Sequence, residues 1–320
     1  MILTVTPNPA IDLTWHVDRL TPGATHRVPT GACRAGGKGV NAARVLHQTG
    51  HEVLALATAG GATGDELRAD LAASGVPHRL VPTAAATRRS LAIVDDGDGE
   101  TSVLNELGAP LSPAESVALA DAAEHLGRGA RAVAISGSLP SGFGPEELGA
   151  LVARLVAAGV PVVVDTSGPA ILAAARAGAD ALKPNREELA EATGLDDPVE
   201  GARALLDLGA RLVLVSLGAD GLLVVGRGGA PLLARLPRVL HGNATGAGDA
   251  AVAAIAVAHA AGDDLSSTTD AADRARAALA RRATAWSASA VLMPLAGELS
   301  PDHVALADEV VLTTIDEERR

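Results

Sequence analysis

Residues 179–216 read ADALKPNREELAEATGLDDPVEGARALLDLGARLVLVS. The stretch opens and closes on short apolar runs, at 179–182 and 212–216, with amphipathic helical patterns at 186–193 and 198–208 between them. Continuous apolar runs of this length are typical of strands that are covered on both faces. Because helical crossovers join parallel strands, this stretch predicts a parallel sheet flanked by helices.

The same alternation continues in both directions along the chain. Further apolar strands are predicted at 1–5, 53–57, 132–136, 160–165 and 222–225, and further helices at 40–50, 64–74, 113–126, 145–158, 247–261 and 269–289. We therefore predict one α/β domain over residues 1–320, with a mainly parallel sheet and helices on both faces.

Two segments depart from this alternation. Residues 12–34 alternate polar and apolar side chains, and residues 88–103 read as two strands around an acidic, glycine-containing turn at 95–99. Neither segment fits a sheet whose strands are joined by helices. We predict that 12–34 and 88–103 form a small antiparallel sheet that projects as a lid over a cleft. The alternative is a surface hairpin without a function.

Composition limits the kinds of partner. The formal net charge is −12, and no basic run resembles a nucleic-acid site, so an anionic ligand needs a local basic pocket. A single cysteine, Cys33, excludes an intramolecular disulfide framework and a cysteine-clustered zinc site. Apolar stretches are too short to span a bilayer, and no signal-peptide pattern opens the sequence. We expect a cytoplasmic protein that binds neither nucleic acid nor membranes.

The strongest local motif is NATGAGD at 243–249, which an apolar helix follows. Small residues let consecutive backbone N–H groups at a helix N-terminus face an anion. Asp249 could then accept a proton from an attacking hydroxyl, as phosphoryl transfer requires. The alternative is that Asp249 only caps the helix.

A second motif, GGKGVN at 36–41, also precedes a helix. It lacks the spacing of a Walker A loop, so an ordinary P-loop is rejected. Its glycines allow a polyhydroxylated ligand to approach the backbone, Lys38 can neutralise a phosphate, and Asn41 can hold a hydroxyl. The alternative is a glycine turn with a solvated lysine.

A third motif, KPNREE at 183–188, follows a predicted buried strand. Asn185 and Glu188 lie on the same side of the first helical turn and suit a hydrated Mg²⁺. They suit equally well an N-cap and its capping-box partner. The segments 136–140 and 216–221 are ambiguous by themselves, and the second reads well as a hairpin turn.

Taken in order, six segments resemble the ribokinase/PfkB carbohydrate kinase family: TPNPAID at 6–12, GGKGVNAARVL at 36–46, ISGSLPSG at 135–142, KPNREEL at 183–189, VSLGADG at 215–221 and NATGAGDA at 243–250. The resemblance implies a Rossmann-like, ribokinase-like domain with a β-sheet lid. It also implies that ATP and Mg²⁺ bind, to which a monovalent cation could be added.

The resemblance assigns roles by position. Asp249 corresponds to the catalytic base, with Gly246, Ala247 and Gly248 as the anion hole. The residues implied at the nucleotide are Lys183, Asn185, Ser216, Gly218, Gly221 and Thr245. Asn185 and Glu188 are implied to bind Mg²⁺, mostly through water. Sugar hydroxyls would meet Asp12, Gly36, Gly37 and Asn41, and an existing sugar phosphate would meet Arg27, Lys38, Arg88 and Ser138.

Within the family, TPNPAID with GGKG most resembles the 1-phosphofructokinase and tagatose-6-phosphate kinase branch, although NAT replaces the Ser-Val that this branch often carries before its GAGD. We expect an ATP-dependent kinase of a ketohexose phosphate, with fructose 1-phosphate first and fructose 6-phosphate or tagatose 6-phosphate next. The alternatives are a kinase of an unphosphorylated sugar or nucleoside, and a non-catalytic sugar-phosphate sensor. A lid with an exposed apolar face would pair two copies into a homodimer. Whether Arg89 faces the ligand stays open.

Overall fold

A computed structural model describes residues 1–97 and 99–315. Its strands are β1 (Ile2–Thr6), β2 (Ala10–Val17), β3 (Ala32–Gly36), β4 (Val53–Ala59), β5 (His78–Pro82), β6 (Arg88–Asp95), β7 (Thr101–Asn105), β8 (Ala132–Ser136), β9 (Val162–Asp165), β10 (Ala181–Leu182), β11 (Leu212–Ser216), β12 (Leu222–Gly226), β13 (Leu232–Arg235) and β14 (Val311–Thr314). Its helices are α1 (Lys38–Gln48), α2 (Gly61–Ala73), α3 (Pro113–Gly127), α4 (Pro145–Ala157), α5 (Pro169–Arg176), α6 (Arg186–Thr193), α7 (Pro198–Leu208), α8 (Ala247–Ala261), α9 (Asp270–Val291) and α10 (His303–Glu309), with a 3-10 turn at Gly218–Asp220. Asp98, in the predicted turn at 95–99, lies outside the described residues.

The main sheet has ten strands in the order β14-β13-β12-β11-β10-β9-β8-β1-β4-β5. From β11 to β5 every neighbouring pair is parallel, whereas β12, β13 and β14 add antiparallel strands at one side. The prediction of a mainly parallel sheet is therefore confirmed. The predicted hairpin at 216–221 is also present, because β11 and β12 pair directly across it.

Helices cover both faces of this sheet, as the continuous apolar strands require. Along β1, Ile2 belongs to the apolar cluster on one face, and Leu3 and Val5 belong to the cluster on the other. The central helix, α8, is buried along most of its length and consists largely of alanine, so it packs closely between α1 and α9.

The lid is a separate four-stranded sheet in the order β3-β2-β6-β7. Its outer pairs are antiparallel, but β2 and β6 run parallel, so the prediction of a wholly antiparallel lid was wrong. The reason is the place where the strands begin. Ala10 and Arg88 lie opposite each other at the root of the lid, and both strands run outward from there. Residues 18–31 contain no strand, although they fall within the predicted segment 12–34.

The two tryptophans lie in different parts of the molecule. Trp15 is on β2 in the lid, and a Cβ atom at Gly31 would come within 2.8 Å of its ring. Trp286 is buried in α9, and its ring centroid lies 6.4 Å from those of His51 and His303. Both serve as packing residues in this arrangement.

None of the helices in the described part of the chain is long and apolar enough to cross a membrane.

Candidate active site

The polar motif residues meet where the central parallel strands end. Ser136 is the last residue of β8, Asp165 is the last of β9, and Ser216 is the last of β11. Because neighbouring parallel strands end at the same edge of a sheet, these side chains lie around one cleft. Ligands in open α/β sheets bind at this edge.

A buried carboxylate, Asp165, organises the centre of the cleft. Its Oδ1 atom lies 3.3 Å from the Nζ atoms of both Lys38 and Lys183, and Ser136 Oγ donates to its Oδ2 atom at 3.0 Å. Burial opposes ionisation of Asp165, yet the ammonium groups of Lys183 and Lys38 outweigh it and hold the pKa of the carboxyl below its ordinary value. The site therefore contains two cations held by one anion.

Lys38 also approaches the first turn of α6. Its Nζ atom lies 3.6 Å from Glu188 Oε1, and the charge of Asp165 is the main cause that raises the pKa of Lys38. Asn185 and Glu188 form the predicted capping box: Glu188 N donates to Asn185 Oδ1 at 2.7 Å, and Asn185 N donates to Glu188 Oε2 at 2.9 Å. The capping role is thus observed, and it leaves Glu188 Oε1 facing Lys38.

Asp249 lies in the first turn of α8 but does not cap it. The N-cap is Gly246, which forms no side-chain capping bond, and Asp249 Oδ2 instead accepts a 2.8 Å hydrogen bond from Asn41 Nδ2. Only 5% of Asp249 is exposed. Burial, and then the charge of Asp165, raise the pKa of Asp249 to about 6, against the opposing effect of Lys38. A carboxyl with this pKa is mostly ionised at neutral pH and still able to take up a proton.

Gly246, Ala247 and Gly248 begin α8 beside this carboxyl. Gly246 has φ +91°, and a Cβ atom there would lie 3.0 Å from Ala296, so both conformation and space favour glycine. A Cβ atom at Gly248 would lie 3.2 Å from Lys183 Nζ. A helix N-terminus next to an ammonium group is suited to binding an anion.

A cleft of about 590 Å³ extends from the start of α8. Six of the predicted nucleotide and anion-hole residues line it: Asn185, Ser216, Gly218, Gly221, Ala247 and Gly248. The sequence prediction missed its other wall, which consists of Leu236, of residues 238–242, and of Thr284, Ser287, Ala288 and Val291 in α9. Thr245 is exposed in the loop before α8, and Asn243 Oδ1 accepts a bond from its backbone N–H.

The lid contributes Asp12, which lies on β2. Gly36 lies so close to Asp12 that a Cβ atom there would collide with the carboxylate. Burial raises the pKa of Asp12 to about 6, although Arg88 and Arg34 act to lower it. Gly36 and Gly37 have no side chains, so their backbone lies open beside the Asp12 carboxylate, which can accept hydrogen bonds.

Arg88 lies on the same face of the lid as Asp12, at the root of β6. Its guanidinium donates to the backbone oxygens of Asn8, at 3.3 Å, and Glu106, at 3.1 Å. Asn8 in turn donates to Leu107 O at 3.0 Å and to Ser138 Oγ at 3.1 Å. Arg88 and Ser138 are thus joined through Asn8, whereas the ion pairs of Lys38 lie at Asp165 and Glu188.

Two arginines lie apart from this arrangement. Arg27 is exposed between β2 and β3 and makes no ion pair with any residue in the described ranges, so its predicted role stays a prediction. Arg89 points away from Asp12, and its Nη2 atom lies 3.9 Å from Glu66 Oε1 on α2. Arg89 therefore lies on the other face of β6 from Arg88.

Sequence reasoning missed Asn8 and Asp165. Asn8 lies inside the segment TPNPAID, between two prolines that fix the backbone. Asp165 is the acidic residue at the carboxyl end of the predicted strand 160–165. That position, where α/β sheets collect functional side chains, was the available signal.

Comparison with known proteins gives consistent matches. The family described as pfkB family carbohydrate kinase matches residues 6–289. A 1-phosphofructokinase of Xanthomonas campestris pv. campestris is 40% identical over 265 residues, which are 80% of this chain and 83% of the relative. A 1-phosphofructokinase of Rhodobacter capsulatus is 37% identical over 94% of this chain and 92% of its own length. The crystal structure of phosphofructokinase-2 from Escherichia coli in complex with fructose-6-phosphate superimposes with a TM-score of 0.84, at 29% identity, over 96% of this chain and 98% of that one.

Proposed function

The chain belongs to the pfkB family of carbohydrate kinases, and from that premise we propose that it is an ATP-dependent kinase of a ketohexose phosphate. Fructose 1-phosphate is the first choice of acceptor, in line with the relatives named 1-phosphofructokinase. Fructose 6-phosphate and tagatose 6-phosphate are the next choices.

One observation carries the proposal. Asp249 is buried, hydrogen-bonded to Asn41 and placed in the first turn of α8, so a proton acceptor and a helix N-terminus face the same space. Phosphoryl transfer needs this combination, because a base must lie at the nucleophile while positive charge lies at the transferred group.

In the proposed reaction, the acceptor hydroxyl attacks the γ-phosphorus and its proton passes to Asp249. The new P–O bond forms as the bond to the β-phosphate oxygen breaks, and ADP leaves with that electron pair. The pKa of about 6 allows Asp249 to be ionised beforehand and to release the proton to water afterwards.

Charge that builds up on the transferred group would meet the N–H groups of Gly246, Ala247 and Gly248. Lys183 lies against Gly248 and is held by Asp165, so its ammonium group is already in place before the reaction. Preorganised donors of this kind stabilise a transition state without reorganisation. We assign Lys38 to the same task, since it shares the Asp165 carboxylate with Lys183.

Mg²⁺ fits the available donors only as a partner of the phosphates. No group of three or more His, Cys, Asp or Glu side chains in the described chain could hold a metal ion by itself. Glu188 Oε1 is the carboxylate oxygen that the capping box does not use, and it lies 3.6 Å from Lys38 Nζ. Glu188 and Asn185 would therefore hold the ion mostly through water, and the ion would neutralise phosphate charge when bound.

The sugar would bind under the lid. Asp12, Asn41 and the Gly36–Gly37 backbone offer partners to its hydroxyls, while Arg88 and Ser138 offer donors to its existing phosphate. Lid closure would exclude water, which competes with the sugar for the γ-phosphoryl group.

The test is ADP release with ATP and Mg²⁺, with and without K⁺, for fructose 1-phosphate, fructose 6-phosphate, tagatose 6-phosphate, fructose, ribose and adenosine. Fastest turnover of a phosphosugar supports the proposal. If a neutral sugar or adenosine is fastest, the kinase remains and the phosphate-binding assignment is wrong. Binding of a phosphosugar without any turnover would identify a sensor instead.

We also propose that two copies pair through the lid. Its edge strand, β7, is exposed along its whole length, and Val103 and Leu104 are 49% and 56% exposed. Light scattering of the wild type should give the mass of a dimer, and Leu104→Asp should lower that mass. A monomeric wild type would contradict the pairing.

A further inference from the structure

We propose that Arg34 and Glu298 are positioning residues that keep the lid aligned with the anion hole. Arg34 Nη1 lies 2.7 Å from Glu298 Oε1, and this ion pair, here called the latch, joins β3 in the lid to the loop between α9 and α10. The inference rests on the proposed kinase function, because it concerns how the acceptor side and the phosphoryl side of that site are held together.

On the lid side, the latch adjoins the sugar-binding strand. Arg34 lies directly opposite Asp12 in the pairing of β2 with β3. The next residue, Ala35, is fixed to the main domain, since its N–H donates to Asp70 Oδ2 on α2 at 2.9 Å. Arg44 of α1 also pairs with Asp70. The strand that presents Gly36 to the sugar is therefore tied down on both sides of its backbone.

On the other side, the latch adjoins the anion hole. A Cβ atom at Gly297 would lie 3.2 Å from the Cα atom of Asn41, the residue that donates to Asp249. Gly246 packs against Ala296 and Gly297, as shown by the 3.0 and 3.2 Å that a Cβ atom at Gly246 would leave. Glu298 is thus one residue away from the contacts that surround the anion hole.

The loop that carries Glu298 is itself anchored. The Gln48 side chain of α1 donates to Leu299 O and accepts from Leu299 N, each at 2.8 Å. Gly297 has φ +81°, a conformation that glycine adopts readily and other residues rarely do. Because these hydrogen bonds hold Leu299 in place, a displacement of Glu298 would move Gly297.

The latch is more protected from water than an ordinary surface pair. The side chains of Arg34 and Glu298 are 17% and 33% exposed. Charges that are shielded from solvent interact more strongly than exposed ones, whose pairing contributes little. Arg44, which pairs with Asp70, lines the cavity between these elements, so the charge of Glu298 acts on Arg44 as well as on Arg34.

The consequence lies in the alignment of acceptor and donor. Asp12 and Gly36 hold the sugar on the lid, whereas Asp249 and Gly246 belong to the main domain. Reacting atoms must approach within about 3–3.5 Å, and a misplacement of about 1 Å can cost about 10²-fold in rate. The latch restricts the lid to the position in which both halves of the site meet.

The experiment compares Glu298→Gln, Arg34→Met and the double variant with the wild type. It is run at pH 8, where Asp12 is ionised, because Arg34 also influences Asp12. We expect each single variant to lower kcat about tenfold, while KM for ATP stays within about twofold. The double variant should be no slower than the slower single variant, because one interaction is lost in all three.

The matched control is Glu124→Gln, which breaks the surface pairs of α3 with Arg128 and Arg154. It should leave kcat unchanged. A Glu298→Gln enzyme with kcat within twofold of the wild type, or multiplicative losses in the double variant, would overturn the proposal.

Hydrogen exchange tests the latch without turnover and so separates it from the proposed function. In Glu298→Gln, amides of β3 and of residues 296–299 should both exchange faster, and those of β8 should not change. Faster exchange at 296–299 alone would mean that the pair does not hold the lid. If the wild type turns over no sugar, the proposed function fails, and this measurement still decides whether the latch exists.

Discussion

The cluster at the strand ends and the lid differ in how firmly their functional side chains are held. Asp165, Lys183 and Asp249 are buried on the ends of parallel strands and at the start of α8. Asp12 and Arg88 lie on a four-stranded sheet whose strand β7 is exposed throughout. The groups proposed to make and break bonds thus belong to the rigid part, and those proposed to hold the acceptor belong to the part with fewer buried contacts.

The largest effect is expected where the rigid cluster supplies the base. Asp249→Asn should lower kcat about 10²- to 10⁴-fold, because the carboxamide can accept the Asn41 bond but cannot take up the proton. ADP release gives kcat, and a separate titration should show that the variant still binds ATP.

The control is Asp180→Asn. Asp180 is a buried carboxylate that pairs with Arg211, and it lies just before β10, at the opposite edge of the sheet. It should cost stability and leave kcat nearly unchanged. Equal losses of kcat in the two variants would mean that Asp249→Asn lowers kcat by disturbing the fold in general.

A smaller loss should follow removal of the anion that holds the two lysines. Asp165→Asn leaves the ammonium groups of Lys38 and Lys183 without their shared partner and lowers the pKa of Asp249, since the charge of Asp165 helps to raise it. We expect about 10²-fold lower kcat and a loss of about 3 kcal/mol in the free energy of unfolding, measured by urea denaturation. Wild-type kcat in this variant would show that the lysines need no fixed position.

Loss of the proposed phosphate contact on the lid should raise KM for the phosphosugar and leave kcat nearly unchanged. Arg88→Gln should raise KM for the phosphosugar about 10- to 100-fold, the range expected for hydrogen bonds to a charged group. Arg89→Gln is the matched control, because the neighbouring arginine points to Glu66. Initial-rate kinetics on both variants give the comparison. Equal KM values for Arg88→Gln and Arg89→Gln would show that Arg88 does not bind the phosphate.

The dependence on pH involves both regions. Burial raises the pKa of Asp249 and of Asp12 to about 6, and both carboxyls are needed ionised. The ratio kcat/KM should therefore fall as pH drops through about 6, about tenfold per unit for each proton taken up. On a log plot the limiting slope should be greater by one in the wild type than in Asp12→Asn. The substrate phosphate titrates identically with both enzymes, so identical slopes would exclude Asp12.

The sequence predicted the main sheet well because strands buried on both faces are apolar throughout. The bounds of β8, β11, α6, α7 and α8 agree with the predicted ranges. The prediction omitted β5, β13, β14, α5 and α10, which are short or lie toward the edges of the sheet, where polar side chains interrupt the apolar pattern. The parallel pairing of β2 with β6 depends on where two distant segments leave the domain, and no local pattern records that.

The candidate site shows the same limit. Asp249 and Lys38 were found because each lies within a run of small residues. Asp165 and Asn8 were missed because their partners are distant in sequence: Asp165 pairs with Lys38 across 127 residues, and Asn8 bonds Ser138 across 130. The roles of Asp165 and Asn8 depend on residues that are near them in the fold and distant in the sequence.

The separation of the two tryptophans makes the protein its own optical probe. The chain has no tyrosine, so its ultraviolet emission comes almost entirely from Trp15 in the lid and Trp286 in the buried helix α9. Trp286 is shielded within the main domain, whereas Trp15 lies on the segment that is proposed to close. A spectral shift on adding sugar phosphate or nucleotide would thus report the environment of the lid, and the Trp15→Phe protein would supply the constant background to subtract.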